Sequence, residues 1–460
     1  MTNKQQLARD RLAKVLGRQP AVRAADLAQA LGVSVSTLHR LLQEHAEPIL
    51  VAGKARRTRY ALRRAVRGDR GEYPLYAVDP SGRAVQVASL IAVAPAGCWV
   101  SLRGTDWPVA DEARDGWWEV LPYPLYDMRP QGYLGRQLAR AVHGALGVPD
   151  NPNLWNDDDI LFALSRIGSE MSGNLILGDD ACEHWHQDGL VQAEPLSEHG
   201  TAAAYVQLAA QAVAAGVPGS SAAGEFPKFP ARRDLAGRPT PHVLVKFSGA
   251  DDSPAVRRWS DLLVCEHLAL ECARTLPQVE SADSRILIQA GRTFLEVERF
   301  DRHGPRGRSP LCSLETLDAA LLGMGTYDWT RLADGLAAAN LLGLEEVVRI
   351  RHLWWFGRLI ANTDMHLGNL SFRPLGGRLR LAPTYDMLPM RYAPLPGGEL
   401  PAAEWTPPLP LPGHRDHWLV ACRAAVRFWD LVAADTRIGA AVRGLGRVHR
   451  QGLRELAERV

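Results

Sequence analysis

Two short segments of the 460-residue chain carry residues whose types and order suit phosphoryl transfer: ANTDMHLGNLSF and LAPTYDML. Asp364 is followed five residues later by Asn369, and Asp386 comes 17 residues after that. One carboxylate of such a set can take the proton of an attacking hydroxyl, while an asparagine and a second aspartate hold Mg²⁺ on nucleotide phosphates. A lysine on the phosphates completes the requirement. The chain draws its positive charge from 48 arginines and only five lysines, Lys4, Lys14, Lys54, Lys228 and Lys246. Only the last two lie beyond the first 70 residues, where a compact ammonium serves in place of a planar fork. Lys246 sits in the alternating segment HVLVKFS, with Val243 and Val245 on one face and Leu244 and Lys246 on the other. Upstream, SSAAGEFPKF is a small-residue loop whose Gly224 permits close backbone approach to an anion. Alone, that loop is a turn. Singly, Asp364 and Asn369 read as turn residues and Asp386 as a helix cap. In this order, with a strand lysine upstream, they read as one site.

The elements around them are set up to converge. A long helical pattern through Val347, Ile350, Trp354 and Gly357 ends just before Asp364, which leaves that residue in a loop. Asn369 leads into the short strand Leu370–Phe372. A turn at Leu375–Gly377 and a strand at Arg378–Ala382 then return the chain to Asp386. Earlier, residues 72–122 read as short strands separated by Gly, Pro and Asp turns. Helical patterns follow at Leu134–Leu146 and Asp157–Ile167, then an Ala-rich one at Thr201–Ala215. Pro394–Pro412 is a proline-rich loop.

Length allows about three domains, and 46% hydrophobic with 23% charged residues is an ordinary globular composition. No apolar run is long enough to span a bilayer; Ala88–Leu102 is short and broken by Pro95. The first residues, MTNKQQLARDR, lack the apolar core of a secretory signal. Six scattered cysteines form no CxxC pair, so a cytoplasmic, reduced protein is expected, with no membrane partner. The net charge of +2 conceals an asymmetry: residues 1–70 carry a net of +10 and the remainder −8. A basic head on an acidic body points to nucleic acid.

In that head, RAADLAQALGVSVSTLHRLLQE places Leu27 and Leu31 on one helical face, then a turn at Gly32. Ser34 caps a second helix with Leu38, Leu41 and Leu42 inward, and with Ser36, Thr37, His39 and Arg40 outward. This is helix-turn-helix spacing. ILVAGKARRTRYAL then resembles the wing of a winged helix-turn-helix, with Arg56, Arg57 and Arg59 aimed at the phosphates of double-stranded DNA. Arg63, Arg64, Arg67 and Arg70 are expected to form a basic linker.

Taken together, NTDMHLGN, APTYDM, FLEVERFDR, HVLVKFS and S-x-x-G-x-x-x-K (Ser221, Gly224, Lys228) resemble the HipA family of bacterial serine/threonine kinases over roughly residues 75–450. D-x-H-x-x-N and ERFDR are fairly specific to it. The resemblance implies an α+β, two-lobed, HipA-type protein-kinase-like fold, here preceded by a small winged helix-turn-helix domain. It also implies ATP and Mg²⁺, a protein substrate, and a toxin–antitoxin setting with a possible antitoxin partner. By that resemblance Asp364 looks like the catalytic base, with His366 in the catalytic loop, and Asn369 and Asp386 look like Mg²⁺ ligands. Lys246 looks like the phosphate-binding lysine, and Gly224 and Lys228 belong to the ATP loop. Glu298 and Phe300 look like the hinge that holds adenine, and Ser221 matches the family's autophosphorylated serine. Two features depart from the family pattern. The phosphate loop reads GEFPK, where members more often have a Gln-Glu-Lys run, and the DNA-binding head is fused rather than supplied by a separate antitoxin.

The expected divisions are a winged helix-turn-helix at 1–70, an N-terminal subdomain at 71–200, a nucleotide lobe at 201–305 and a helical catalytic lobe at 306–460. Three functions compete: a toxin-type kinase, a DNA-binding regulator whose kinase-like body is inactive or senses nucleotide, and a metal-dependent nuclease. The intact set of Lys246, Asp364, Asn369 and Asp386 favours the first, since a decayed kinase has no need of all four. A nuclease calls for more converging carboxylates. Cys182, His184 and His186, like His414 and His417, lack a complete four-ligand spacing for a metal. Cys265, His267 and Cys272 read as one helix packed on the nucleotide lobe, and the pairs Trp117–Trp118 and Trp354–Trp355 as packing.

Overall fold

Apolar residues four apart, Ala8, Leu12 and Leu16, turn the first helix, α1 (Asn3–Leu16), onto two shorter ones, α2 (Ala24–Leu31) and α3 (Val35–Gln43). The computed structural model describes residues 3–44, 49–69, 71–191, 194–214 and 226–460. Gly32 takes the left-handed conformation (φ 66°) that ends α2, and the Ser34 hydroxyl accepts from Thr37 N–H at 3.2 Å to start α3. Leu38 and Leu41 are fully buried, Leu42 partly, while Ser36, His39 and Arg40 face out and Thr37 is half-buried. β1 (Val22–Arg23), β2 (Ile49–Ala52) and β3 (Arg59–Leu62) form a small antiparallel sheet in the order β1–β3–β2. Between β2 and β3, Gly53 (φ 98°) admits no side chain, since a Cβ there would lie 2.3 Å from the Arg57 carbonyl oxygen.

The segment after β3 is not the basic linker expected of it. Arg63 pairs with Val93, Arg64 N–H donates to the Ala92 carbonyl, and Ala94 N–H donates to that of Leu62. The side chains of Arg64 and Arg67 form ion pairs with Asp158 and Asp159. Leu50, Ala52 and Ala61 bury their apolar face with Ile91, Val93 and Trp117. A two-stranded hairpin cannot bury both faces within so small a head, and the next sheet covers one of them.

That next sheet contains β4 (Tyr73–Val78), β5 (Ala84–Ala92), β6 (Cys98–Trp99), β7 (Trp117–Trp118) and β8 (Leu175–Leu177), in the order β7–β6–β5–β4–β8. Helices α4 (Tyr123–Tyr126), α5 (Gly132–Leu146), α6 (Asp157–Ile167) and α7 (Asp179–Val191) accompany it. Next comes α8 (Glu198–Ala214). The upper lobe is a four-stranded antiparallel sheet, β11–β12–β10–β9, built from β9 (Lys228–Arg232), β10 (His242–Phe247), β11 (Ser284–Gln289) and β12 (Arg292–Glu298). It packs against α9 (Pro254–Ala273) on one side and the Tyr205 face of α8 on the other. A two-stranded ribbon, β13 (Arg302–His303) and β14 (Gly307–Arg308), follows. The lower lobe holds α10 (Leu314–Leu317), α11 (Trp329–Ala338), α12 (Leu344–Leu359), α13 (Arg415–Ala434) and α14 (Ala440–Ala457). Its small sheet is β15 (Cys312–Ser313), β16 (Ser371–Leu375) and β17 (Arg378–Leu381). One apolar core runs from Val66 to Leu453 beneath the five-stranded sheet and these helices. The result is an α+β, two-lobed, kinase-like body with a small helical head docked on it.

Candidate active site

Strand alternation places Lys246 as expected. Val243, Val245 and Phe247 pack toward α8, and Lys246 faces α9 and the cleft. It is 5% exposed. Its Nζ donates to both Glu266 oxygens at 2.8 Å and to Asp386 Oδ1 at 2.5 Å. Glu266, buried on α9, was not among the residues marked from the sequence. One ammonium thus bridges a helix carboxylate above and a loop carboxylate below. In kinases such a lysine–glutamate pair and a metal-binding aspartate must both be in place for transfer. Asp386 holds its position with a left-handed backbone (φ 57°).

The electrostatics follow from this sharing. Burial opposes ionisation of Asp386, but Lys246, then Lys228, outweigh it and hold the carboxyl at about 2. Burial also opposes charge on Lys246, and the two carboxylates more than compensate, so it stays an ammonium. Glu266 is the weaker partner: burial, with repulsion from Asp386, pushes it up to about 7 against the pull of Lys246. Lys228, half-buried, lies across the strand pair from Lys246 and adds its charge to this field.

The loop after α12 is stitched by its own side chains. Asp364 N–H donates to Asn362 Oδ1 at 3.0 Å, and Asn369 Nδ2 donates to the Asp364 carbonyl at 2.7 Å. The Asn369 amide oxygen is what remains to offer a cation. His366 Nδ1 accepts from Gly368 N–H at 3.1 Å. The Tyr385 hydroxyl contacts the Gly368 carbonyl at 2.6 Å and Ser371 Oγ at 2.7 Å, tying this loop to the residue before Asp386. Asp364 and His366 are exposed and Asn369 is buried. Lys246 and Asp386 thus meet directly, and the loop that carries Asp364 and Asn369 is joined to them through the Tyr385–Gly368 contact.

Other marked residues fall differently. Phe300 is half-buried at the back of the cleft, its ring 5.7 Å from that of Tyr385. The Glu298 carboxylate is buried against Arg233 (2.5 Å) and Arg238 (3.3 Å). A carboxylate at a strand end beside two arginines gains more from them than from open space. The rest of ERFDR is a clamp. Asp301 accepts from Gly173 N–H at 3.0 Å, and Arg302 donates to the carbonyls of Gly173 (2.9 Å) and Met171 (2.7 Å). Ser221 and Gly224 lie outside the described residues. In the head, His39 Nε2 lies 3.4 Å from the Tyr60 hydroxyl, and Arg57, largely exposed at the hairpin tip, is 4.0 Å from Asp115. The backbone of Arg56 belongs to the same tip.

Among the described residues, no three His, Cys, Asp or Glu side chains are placed to hold a metal. Mg²⁺ needs no such cluster, since one or two protein oxygens, phosphates and water suffice. Asp386 and Asn369 offer hard oxygen donors of the required kind. Among the described residues, no helix is long and apolar enough to cross a membrane.

Comparison with known proteins agrees with this geometry. Residues 69–186 match the YjjJ-like toxin middle domain, and residues 220–442 match the HipA-like C-terminal domain. Toxin YjjJ of Escherichia coli K12 is 36% identical over 441 residues, covering 95% of this chain and 96% of its own. In fold, the chain is similar to HipA of Shewanella oneidensis, solved with HipB and operator DNA. The TM-score is 0.51 at 14% identity, over 84% of this chain and 97% of that one. With the ammonium bridge in place and both halves of the body matched, the chain belongs to the HipA family of toxins.

Proposed function

We propose that this chain is an ATP- and Mg²⁺-dependent serine/threonine protein kinase of HipA toxin type that binds double-stranded DNA through its own head. The observation that carries the first half is the bridge from Glu266 through Lys246 to Asp386, with Asp364 and Asn369 on the loop beside it. Lys246 takes the nucleotide phosphates, released in part from Asp386. Asp386 and Asn369 hold the metal, which when bound neutralises charge on the phosphates. Asp364 accepts the proton of the substrate hydroxyl, and His366 shapes the loop by capping Gly368. Phe300 and the adjoining backbone receive the base, and Gly224 and Lys228 close over the phosphates. Ser221 is the site of autophosphorylation.

The head presents Ser36, His39 and Arg40 outward on α3 and leaves Arg57 largely exposed at the hairpin tip, which supports groove entry by the helix and phosphate contact by the hairpin. The Shewanella neighbour was solved with an antitoxin and DNA; a similar partner is proposed here. The deciding experiment incubates purified protein with Mg²⁺ and γ-labelled ATP beside Asp364→Asn, with mass spectrometry of the products. Label on Ser221 in the wild type alone, with ATP bound by both, supports the kinase. Near-normal transfer by the mutant removes Asp364 as base, and absence of ATP binding removes the kinase reading.

A further inference from the structure

A second charged centre lies behind the connector that follows β12, on the far side of the upper sheet's end from Lys246. His242, four residues up β10 from Lys246 and so about 13 Å along the strand, lines it with Glu170, Trp185, Arg302, Pro305, Arg306 and Arg308. Arg308 donates to the Ser169 carbonyl at 2.6 Å and pairs with Glu170 at 2.8 Å. Arg302 pairs with Asp301 at 2.7 Å and lies 3.8 Å from Glu170. Arg299 pairs with the same Asp301 at 2.8 Å, and the Arg306 guanidinium lies 4.1 Å over the Trp185 ring. Three arginines thus share two carboxylates, and Arg306 adds a fourth guanidinium beside them. Arg302 and Arg308 have side chains only 1% exposed. Even so, Arg302 Nε, Arg306 Nε and Arg308 Nη1 have no acceptor among the described residues. Buried guanidinium donors without acceptors are costly. Burial first, then repulsion from Arg299, pulls Arg302 down to about 9 against the opposing pull of Asp301.

Glu170 is the part open to solvent: its side chain is 47% exposed, whereas Arg302 and Arg308 are fixed by backbone carbonyls. With Glu170 in place the free space is about 10 Å³, enough for one water. We propose that this pocket is a phosphate site, in which a dianionic tetrahedral oxyanion displaces the Glu170 carboxylate and supplies acceptors to Arg302, Arg306 and Arg308. With Glu170 displaced, four guanidiniums are left facing the Asp301 carboxylate, and a tetrahedral dianion restores negative charge and offers oxygens in several directions. Free phosphate and a phosphate monoester share this chemistry. Because the pocket is separate from the Lys246 cleft, the inference does not depend on the kinase assignment.

Calorimetric titration of the full chain with inorganic phosphate, at ionic strength held constant with NaCl, tests it. Saturable binding is expected, tightened about tenfold by Glu170→Gln and weakened at least tenfold by Arg306→Gln, the scale of one charge-assisted hydrogen bond. Lys228→Gln leaves it unchanged. A parallel titration with O-phosphoserine names the source: stronger binding of the monoester points to a phosphorylated ligand, and stronger binding of the free ion to phosphate itself. Two outcomes overturn the proposal. One is no saturation below about 10 mM, a Kd too weak for a built site, in both wild type and Glu170→Gln. The other is binding abolished by Lys228→Gln and indifferent to Arg306→Gln, which places the ion in the catalytic cleft.

Discussion

Replacing Glu266 with glutamine separates a structural role for the lysine bridge from a functional one. Glu266 is 1% exposed and receives Lys246 on both oxygens at 2.8 Å. Its displacement from an ordinary 4.5 to about 7 marks a cost of burial of about 3 kcal/mol at high pH. Asp386, moved from 3.8 to about 2, returns about 2 kcal/mol. The two carboxylates therefore pull in opposite directions, and Glu266→Gln, which keeps the shape and one acceptor and leaves Lys246 paired with Asp386, should shift stability by no more than about 1 kcal/mol. For transfer the arithmetic differs. A lost charge-assisted hydrogen bond to Lys246 removes about 1.5–3 kcal/mol from the positioning of that ammonium. That is roughly a 10- to 150-fold loss in kcat/KM. The assay is labelled-ATP turnover at pH 8, where the wild-type carboxylate is ionised, paired with urea unfolding of the same preparation. Lowering the pH to 6 should narrow the gap between the two proteins, because Glu266 itself then takes up a proton. Wild-type turnover by Glu266→Gln at pH 8 would refute the reasoning, as would a stability loss above about 3 kcal/mol with activity per folded molecule intact.

Three further outcomes follow from the geometry. Arg40→Ala with Arg57→Ala should lower the slope of log affinity against log salt on double-stranded DNA by about 2 and leave ATP turnover alone; an unchanged slope takes both side chains off the phosphates. His242, His352 and His449 are buried, and desolvation holds each down at about 4. The unfolded chain then binds more protons between pH 6.5 and 4, so stability is full above 6.5 and falls with pH through that window. From pH 7 to 5 each contributes a loss of up to about 2 kcal/mol, offset once by Glu266, which works in the opposite sense; equal urea midpoints at the two pH values would contradict this. Leu50→Ala, which opens the apolar seam between head and body, should cost about 2–5 kcal/mol. It should also speed proteolytic cleavage between residues 63 and 70, and an unchanged digestion pattern would show that the seam does not hold the head.

What the sequence disclosed was chemistry carried by neighbours in the chain. Lys246 was legible because strand alternation is local, and the Asp364–Asn369 loop because both residues sit just past one helix. Glu266 was hidden for the converse reason. In PAVRRWSDLLVCEHLALECA it is one of several polar residues on a long helix. Only the packing of α9 beneath β10, set by contacts distant in sequence, decides that it is buried and aimed at a lysine. The side-chain directions of Glu298 and the ERFDR arginines were hidden on the same account: a motif shows which residues occur together, while their direction depends on Arg233, Gly173 and Met171, far away along the chain.

The same limit bears on the head, where charge counting overstates the surface open to DNA. Of its net +10, Arg64 and Arg67 are spent on Asp158 and Asp159 of the body. The inner face of the hairpin, through Leu50, Ala52 and Ala61, is buried against β5 and Trp117. What remains exposed for the proposed duplex contact is the outer face of α3 and the hairpin tip, joined to the five-stranded sheet by packing contacts rather than by a linker. A head on a tether binds DNA with no consequence for the body beyond raising its local concentration. A head sharing a β-bridge, two ion pairs and an apolar seam with the body cannot be reoriented by DNA without disturbing Asp158 and Asp159, which open α6. Strain from the head thus has a short non-covalent path into the sheet and helices that the ERFDR clamp joins to the upper lobe.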